Sequence, residues 1–487
     1  MRYLAFDLGA SSGKMFVGHF DGERLTVKPI HNFKNGVVAM GNGLYWDFPG
    51  IWSNLCLGIQ KAAQDHAITS LGIDSFNNDF SFIDEAGEML FPVRSYRDAR
   101  TIKHEKAIYG KIPREPLYML SGNQLAPFNT YMQLAAMVEN KQNYLFEHVK
   151  NLMMLPDLLG FYLTGNRVIE YTLAAETQML DMRTKQWIPA TLNALNFPES
   201  LLPPLQMPGT VLGKVSPEVC SALGISTFDC VNVCQHDTAS AFLSAPMSEP
   251  SAIISGGTWS IVGIEVEQPY ISEYGYAHNI ANEGGFPGHH RLLKNVMGSW
   301  ILQELIRDFA LDGLTFDYVQ IQKLALNAPA FSHMIDVDDQ RFYSPGNMRE
   351  KIRRACMETT GRAPETPGEY LRTVYEGLSF KYRQALSELE TLTQNAYHRV
   401  HIIGGGSQDA LACQFSANAL SRTVIAGPID GTAIGNILVQ MIAHGEIDSI
   451  EQGRELIRRS QPLREYVPED AAQWADQYDK FAQLFSS

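Results

Sequence analysis

Short apolar runs separated by turn residues open the chain. Leu4 to Leu8, Lys14 to Phe20, Arg24 to Ile30 and Ser70 to Asp74 are bounded by turn residues in the way that strands are. Between Pro49 and Asp65 the apolar positions recur at near-helical spacing, which predicts a helix before the fourth strand. The predicted order is therefore strand, strand, strand, helix, strand.

Helical patterns dominate from Thr101 to Phe161, and a stretch containing Pro and Ser, Ser244 to Pro250, interrupts the chain near its middle. We place a domain boundary at this break. The sequence thus predicts an N-terminal domain over residues 1–243, a C-terminal domain over residues 251–445 and a helical tail over residues 446–487.

The segment after the break repeats the pattern of the N-terminus. Ala252 to Ile264 is again an apolar strand, a turn of Gly, Ser and Thr, and a second apolar strand. One copy in each half is the pattern of two duplicated domains that face each other across a cleft. A chance similarity of two Gly-rich hairpins is the alternative.

A third glycine cluster favours the duplication. Val400 to Ile403 is a β-branched strand that ends in Gly404, Gly405 and Gly406, and a helix-like segment follows. Bare backbone at such a strand end can lie flat against a planar or phosphorylated ligand. A tight turn between strand and helix is the other interpretation.

The first strand ends in a segment with phosphate-binding chemistry, Asp-Leu-Gly-Ala-Ser-Ser-Gly-Lys, over Asp7 to Lys14. Glycines permit close approach of backbone N–H groups to phosphate, serines donate hydrogen bonds and lysine neutralises charge. A carboxylate beside phosphate is expected to face Mg²⁺ through water. The spacing is not that of the Walker P-loop, and a simple hairpin turn remains the alternative.

Asp237 is the candidate general base. It follows the apolar run that ends at Val233, and a carboxylate there can take the proton of a sugar hydroxyl that attacks the γ-phosphorus of ATP. Asp followed by Thr-Ala-Ser-Ala is also a helix N-terminal signature, so a capping role is the alternative.

Composition and charge limit the class of protein. The chain has 487 residues, of which 45% are hydrophobic, enough for two cores. A net charge of −14 argues against nucleic acid or an anionic membrane as partner. The six cysteines show no paired C-x-x-C spacing, and neither a leader nor an apolar run of membrane-spanning length is present, so we expect a cytoplasmic protein.

Together these motifs resemble the FGGY carbohydrate kinases of the actin-like ATPase superfamily, most closely the rhamnulokinases. The resemblance covers nearly the whole chain and includes further segments such as Ser95 to Thr101, Glu170 to Thr172 and Asn282 to Gly285. It implies an α/β fold of two actin-like (ribonuclease H-like) domains. It also implies an ATP- and Mg²⁺-dependent kinase that phosphorylates a primary hydroxyl of a ketose.

The resemblance assigns roles by position. It makes Asp237 the general base. From the chemistry of the phosphate segment we expect Asp7, together with Asp237, to face Mg²⁺ through water. The implied sugar contacts are His236, Asp237, Thr238 and Asn295. The implied ATP contacts are Ala10, Ser11, Ser12, Gly13, Lys14, Thr258, Gln303, Gly404 and Gly405.

Spacing gives one independent argument for two of these residues. Asn295, Ser299 and Gln303 are four apart in Leu293 to Phe309, which we interpret as one helix with these side chains on a shared face. One helix would then contact both sugar and nucleotide. A polar stripe facing water is the alternative.

The sugar pocket departs from the pattern of the rhamnulokinases. Where they typically have Trp-Gly, this chain has Phe76 and Asn77, which adds an amide and removes an indole donor. We therefore expect Asn77 to contact the sugar, which is L-rhamnulose or a related ketose. Alternatives are a fuculokinase-like or xylulokinase-like enzyme, or a non-catalytic nucleotide-gated module. A monomer or homodimer is expected.

Overall fold

The computed structural model describes residues 1–64 and 67–485. Up to residue 243 the elements are β1 (Arg2–Leu8), β2 (Ser12–Phe20), β3 (Leu25–Lys34), β4 (Val37–Met40), β5 (Gly43–Trp46), α1 (Phe48–Ala63), β6 (Ser70–Ser75), β7 (Phe80–Ile83), α2 (Glu105–Lys111), α3 (Arg114–Ser121), α4 (Thr130–Glu139), β8 (Asn151–Met154), α5 (Leu155–Thr164), β9 (Ile169–Glu170), α6 (Tyr171–Glu176), β10 (Leu180–Asp181), β11 (Gln186–Trp187), α7 (Pro189–Leu195), β12 (Leu205–Gln206), β13 (Thr210–Lys214), α8 (Pro217–Leu223), β14 (Asp229–Asn232) and α9 (Asp237–Leu243).

The remaining elements follow the mid-chain break. They are β15 (Ala252–Gly256), β16 (Trp259–Val266), α10 (Glu273–Ala277), β17 (Ala281–Gly284), β18 (His290–Met297), α11 (Trp300–Leu311), α12 (Tyr318–Asn327), α13 (Met348–Thr360), α14 (Pro367–Thr393), β19 (Arg399–Ile403), α15 (Ala410–Leu420), β20 (Thr423–Ala426), α16 (Gly431–Ala443), α17 (Ile450–Ser460), β21 (Arg464–Tyr466) and α18 (Ala471–Phe485).

The chain forms two compact units, each built from three stretches. Unit 1 comprises Met1–Ser248, Glu265–Leu292 and Asp430–Gln461. Unit 2 comprises Glu249–Ile264, Leu293–Ile429 and the described residues from Pro462 onward. The chain therefore passes from one unit to the other several times. The domain limits predicted from the sequence, residues 1–243, 251–445 and 446–487, stay a prediction.

Unit 1 contains a sheet in the order β13-β14-β6-β1-β2-β3. Strand β1 pairs antiparallel with β2 and parallel with β6, which pairs parallel with β14. The predicted order of three strands, a helix and a strand is confirmed, although the predicted helix end at Asp65 lies outside the described residues. The hairpin of β4 and β5 was not predicted, because its strands are only four residues long.

Unit 2 repeats this connectivity. In the order β18-β16-β15-β19-β20-β21, β15 pairs antiparallel with β16 and parallel with β19, which pairs parallel with β20. An antiparallel strand then forms the edge, β21 here and β13 in unit 1. The predicted duplication of an α/β domain is thus confirmed in topology.

The prediction of one helix over Leu293 to Phe309 is wrong. Asn295 lies on β18, and α11 begins only at Trp300. Gly298 separates the two elements, and a Cβ there would lie 2.7 Å from the carbonyl oxygen of Gly257. A mostly apolar run of this length fits both a strand and a helix by period alone.

The C-terminal segment divides between the units. Helix α17 belongs to unit 1, whereas β21 joins the sheet of unit 2. The indole of Trp474 on α18 packs at ring distances of 4.8 to 5.4 Å against three buried or half-buried aromatic rings, those of Phe331, Phe380 and Phe415.

Helix α16 packs directly on α9, the helix that begins at Asp237. Gly435 is the point of closest approach, because a Cβ at this position would lie 1.8 Å from the carbonyl oxygen of Ser240. No side chain fits between the two helices there. The orientation of α9 therefore depends on the glycine in α16.

Gly435→Ala is expected to destabilise the protein, because the added methyl group must push the two helix backbones apart. Overpacking of this kind costs about 1 to 3 kcal/mol, which lowers Tm by about 1 to 3 °C in a chain of this length. Gly110→Ala is the matched control, since Gly110 in α2 has open space around it. Differential scanning calorimetry of both variants makes the comparison, and an unchanged Tm for Gly435→Ala would contradict the packing argument.

Candidate active site

The loop that precedes Asp237 is fixed by backbone hydrogen bonds to three surrounding elements. The amide of Ser75 donates to the carbonyl of Gln235 at 2.8 Å. The amide of Gln235 donates to Glu170 Oε2 at 3.3 Å, and the amide of His236 donates to Thr172 Oγ1 at 3.1 Å. The ends of β6 and β9 and the start of α6 thus hold the loop in place.

Asp237 is the first residue of α9, and His236 occupies the N-cap position without a side-chain cap bond. The Oδ1 atom of Asp237 accepts hydrogen bonds from the amide of Thr238 at 2.5 Å and from its hydroxyl at 3.1 Å. The Asp237 side chain is 31% exposed. Burial raises the pKa of Asp237 to about 6, although the Thr238 hydrogen bonds oppose the rise. Asp237 is therefore not the N-cap residue, and its carboxylate remains accessible.

His236 presents one defined face to Asp237. Its Nδ1 lies 3.2 Å from the guanidinium Nη2 of Arg291, and its Nε2 lies 3.5 Å from Asp237 Oδ1. A guanidinium only donates, so Nδ1 must accept and the proton of the neutral ring sits on Nε2. Burial, followed by the charge of Arg291, holds the pKa of His236 well below its ordinary value. The neutral ring thus points an N–H group toward Asp237.

Two buried glutamates complete this cluster. Nη2 of Arg291 lies 3.0 Å from Glu283 Oε2 and 3.8 Å from Glu176 Oε1. Burial raises the pKa of Glu176 well above its ordinary value, and Glu283 adds to the rise. Glu176, His236 and Glu283 are also the one group of three potential metal ligands found in the described residues. The guanidinium of Arg291 already supplies a cation at that place.

Asn77 lies at the edge of the same cluster. Its Nδ2 donates to Glu176 Oε2 at 3.3 Å, and its Oδ1 accepts from Asn78 at 2.7 Å. The side chain is half-buried, and the amide group has a second hydrogen beyond the one given to Glu176. Within unit 1 the structure therefore brings Asn77 into one chain of contacts with His236 and Asp237 through Glu176.

The turn between β1 and β2 carries the predicted phosphate segment. Asp7 pairs with Lys14 across the hairpin and with Asp74 on β6. The buried residue Asn35 holds the turn in place. Its side-chain Nδ2 donates to the backbone carbonyl of Gly9 at 2.8 Å, and its backbone N–H donates to the backbone carbonyl of Ser11 at 3.1 Å. Two carbonyls of the turn are thereby used inside the protein. Ala10, Ser11, Ser12 and Lys14 are all at least partly exposed.

Gly13 has a packing role that the sequence did not reveal. A Cβ at this position would lie 2.2 Å from the ring of Phe33 on the neighbouring strand. The glycine is therefore required by the Phe33 ring that covers it, and Gly13 itself is buried. The glycine at position 13, which the sequence analysis assigned to phosphate binding, is thus also explained by packing against Phe33.

The carboxylates of unit 1 influence one another. Burial raises the pKa of Asp7 to about 7, Asp237 contributes further to the rise and Lys14 opposes it. Burial likewise holds the pKa of Asp74 well above its ordinary value. One oxygen of Asp74 accepts from Asn436 at 2.5 Å, and the other has no hydrogen-bond partner among the described residues. A bound cation would relieve this concentration of negative charge.

Unit 2 contains a cavity of about 270 Å³ that brings together three of the predicted nucleotide residues. Thr258, Gln303 and Gly405 line it, together with Ser299. Gly404 precedes this lining and has a φ of 76°, a left-handed conformation that favours glycine. Asn295, by contrast, lies outside the lining and is exposed on β18.

The walls of this cavity include residues that sequence reasoning missed. Asp409 accepts hydrogen bonds from the hydroxyl of Tyr375 at 2.8 Å and that of Tyr318 at 3.2 Å, and from Gln322 at 2.9 Å. It is also the N-cap of α15. Gly256 and Gly406 approach so closely that a Cβ on either would lie 2.9 Å from the Cα of the other. Bare backbone is thus required on both sides of this wall.

The missed residues of unit 1 left a weak signal in the sequence. Arg291 is a charged residue inside the apolar strand β18, and it is 1% exposed. A charge in an apolar run is expected to have a buried partner, but the sequence did not identify Glu176 or Glu283 as that partner. Glu176 lies 60 positions before His236 and 115 before Arg291, so that only the folded chain brings these three side chains together.

Comparison with known proteins gives the family. Residues 2–244 match the N-terminal domain model of the FGGY family of carbohydrate kinases, and residues 252–444 match its C-terminal domain model. The chain belongs to this family. The predicted class, a carbohydrate kinase with two ribonuclease H-like domains, is confirmed.

Rhamnulokinases are among the most similar curated proteins. The rhamnulokinase of Oceanobacillus iheyensis is 36% identical over 95% of this chain and 98% of its own length. That of Bacteroides thetaiotaomicron is 34% identical over 99% and 98%, and that of Bacillus subtilis is 35% identical over 96% of each chain. The predicted likeness to the rhamnulokinases is therefore confirmed.

Solved structures agree on the fold. Ligand-bound xylulose kinase from Lactobacillus acidophilus superposes with a TM-score of 0.84 at 17% identity, over 100% of this chain and 98% of that one. Plasmodium falciparum glycerol kinase with ADP gives a TM-score of 0.78 at 17% identity, over 100% and 97%. In the described part of the chain, every helix is too short or too polar to span a bilayer.

His236 is expected to stay neutral at pH 7, with its proton on Nε2, because Arg291 and burial both disfavour the charged ring. Nitrogen-15 NMR of histidine-labelled protein measures both the charge state and the tautomer of the His236 ring, and a His236→Gln sample assigns its signals. In Arg291→Met the pKa of His236 should rise, since one positive neighbour is removed, while Arg291→Lys should leave it depressed. A wild-type His236 that titrates near 6.5 would contradict this electrostatic account.

Proposed function

We propose that this chain transfers the γ-phosphoryl group of ATP to the primary hydroxyl of a ketose. The leading candidate is L-rhamnulose, which would give L-rhamnulose 1-phosphate. The observation that supports this most is the accessible carboxylate of Asp237, held by Thr238 and faced by the neutral ring of His236, in a chain about 35% identical to several rhamnulokinases.

Asp237 would act as general base. Its carboxylate would accept the hydroxyl proton as the oxygen attacks phosphorus, while the Nε2–H of His236 and the hydroxyl of Thr238 keep it oriented. A base with a pKa of about 6 is mainly ionised at pH 7 and is still basic enough to take a proton.

The nucleotide would use residues of both halves of the sequence. We assign phosphate binding to the turn from Ala10 to Lys14, and nucleoside binding to the cavity lined by Thr258, Gln303 and Gly405. Mg²⁺ would be held through its water shell by Asp7 and Asp237, where it would neutralise the phosphate charge.

Phe76 and Asn77 distinguish the sugar pocket from the usual pattern of the rhamnulokinases. Phe76 packs on Trp46 at a ring distance of 4.5 Å, and the indole of Trp46 donates to Asp79 at 2.6 Å. Another ketose, of the kind that a fuculokinase or xylulokinase accepts, is therefore the second candidate. We also propose that the enzyme works in the cytoplasm, as a monomer or homodimer.

Asp237→Asn is expected to lower kcat by about 10²-fold or more, with little change in binding of ATP and sugar. The amide keeps the shape of the side chain but cannot take a proton in the transition state. Coupled ADP release gives kcat, and calorimetry gives the two affinities. A variant with near-wild-type kcat would show that Asp237 only supports the start of α9.

Asn77→Gly, with and without Phe76→Trp, is expected to shift preference toward L-rhamnulose over the best other ketose. One hydrogen bond to a sugar hydroxyl is worth roughly 1 to 3 kcal/mol, or about 10- to 100-fold in discrimination. The measurement is kcat/KM across a panel of ketoses and aldoses, with Asn196→Gly, at the exposed end of α7, as the matched control.

The panel also tests the proposed activity itself. ADP release that does not respond to any sugar would remove the kinase proposal. If the wild type already prefers L-rhamnulose and neither variant changes the ratio of kcat/KM values, Asn77 does not contact the sugar.

A further inference from the structure

Unit 1 contains a second cavity, of about 660 Å³, that the proposed reaction does not use. One wall is the hairpin of β4 and β5, and the other is the segment from Arg94 to Lys103 with Asn140 and Gln142. Neither Asn77 nor Asp237 lines it.

The lining of this cavity is rich in positive charge. Four cationic side chains, those of Arg94, Arg97, Arg100 and Lys103, line the cavity together with one carboxylate, that of Asp98. The carboxylate of Asp98 forms an ion pair with Arg94, since its Oδ2 lies 3.0 Å from Arg94 Nε. Among the ion pairs of the described residues, none involves the other three cations. In a protein with a net charge of −14, this local excess stands out.

The buried guanidinium of Arg100 is the feature of this cavity that most favours a bound anion. Its side chain is 5% exposed, its Nη2 donates to Gln133, and its Nε and Nη1 have no hydrogen-bond partner among the described residues. Burial lowers the pKa of Arg100 to about 10, with Arg94 contributing, so the group still carries its charge at pH 7. The carboxylates of Asp79 and Asp98 offset part of this cost, but two buried N–H groups without an acceptor remain costly unless an anion comes close to them.

Arg97 and Lys103 are placed to contact an anion directly. Both are exposed and line the cavity. The guanidinium of Arg97 lies over the rings of Tyr96 and Trp46, at 5.7 and 6.0 Å, which limits its freedom. An ordered arginine beside a lysine is the usual way in which proteins bind phosphate.

We propose that this cavity is a binding site for a small phosphorylated metabolite, with Arg97 and Lys103 on the phosphate and Arg100 supplying buried positive charge. The volume exceeds what a bare ion needs and lies in the range of small-molecule sites. Gln142 lines the cavity with a buried side-chain oxygen that has no hydrogen-bond partner among the described residues, so it offers an acceptor for a hydroxyl. The site rests on these residues alone and is independent of the proposed kinase activity.

Calorimetric titration at low salt tests this site with two probes, inorganic phosphate and glucose 6-phosphate. The wild type is compared with the double variant Arg97→Gln and Lys103→Gln. The control is Lys106→Gln, which removes an exposed lysine of α2 that does not line the cavity. Lys14→Met removes the cation of the proposed ATP phosphate segment, so that binding there is told apart.

Glucose 6-phosphate should bind the wild type, the Lys106→Gln control and the Lys14→Met variant alike. The double variant should bind it at least tenfold more weakly, since charge-assisted hydrogen bonds are lost. Absence of binding, or binding that the double variant retains, would overturn the proposal. Equal affinity for both probes would assign the site to inorganic phosphate and overturn the metabolite.

Discussion

The buried guanidinium of Arg291 is the contact on which the geometry around Asp237 depends. It lies 3.0 Å from Glu283 and 3.8 Å from Glu176, and it fixes the tautomer of His236 through Nδ1. Without it, buried carboxyl groups would lack a cation, and loss of one partner from such a group typically costs about 3 to 5 kcal/mol. The orientation of His236, and through it the surroundings of Asp237, thus follows from a residue that the solvent barely reaches.

A second constraint concerns negative charge. Asp7 and Asp74 lie side by side on parallel strands, and Asp237 raises the pKa of Asp7. Among the described residues, one oxygen of Asp74 has a partner, Asn436 on α16, and the other oxygen has none. The same helix supports α9 at Gly435. Helix α16 therefore serves both the carboxylates of the sheet and the helix that begins at Asp237, although it lies almost two hundred residues further along the chain.

Local patterns were readable from the sequence, whereas long-range partners were not. The β1–β2 hairpin, its repeat at Ala252 and the glycines at Gly404 follow from turn chemistry and strand composition, and the family follows from their order. The prediction of one helix over Leu293 to Phe309 was wrong, because an apolar run of this length fits a strand and a helix alike. Gly298 did not indicate which of the two elements was present. Arg291 and Asn35 were missed because their roles depend on contacts that only the folded chain creates. For Gly13, the sequence analysis gave phosphate binding as the reason for a glycine, whereas the ring of Phe33 also requires a residue without a side chain.

The central claim is that the phosphoryl group passes to a sugar hydroxyl beside Asp237. Phosphorus-31 NMR of a reaction with ATP, Mg²⁺ and L-rhamnulose, or with the best ketose of the panel, tests it directly. The account predicts a new phosphomonoester on the primary hydroxyl at C1, formed in equal amount with ADP. Inorganic phosphate as the only new phosphorus product, formed at the same rate without sugar, would contradict it.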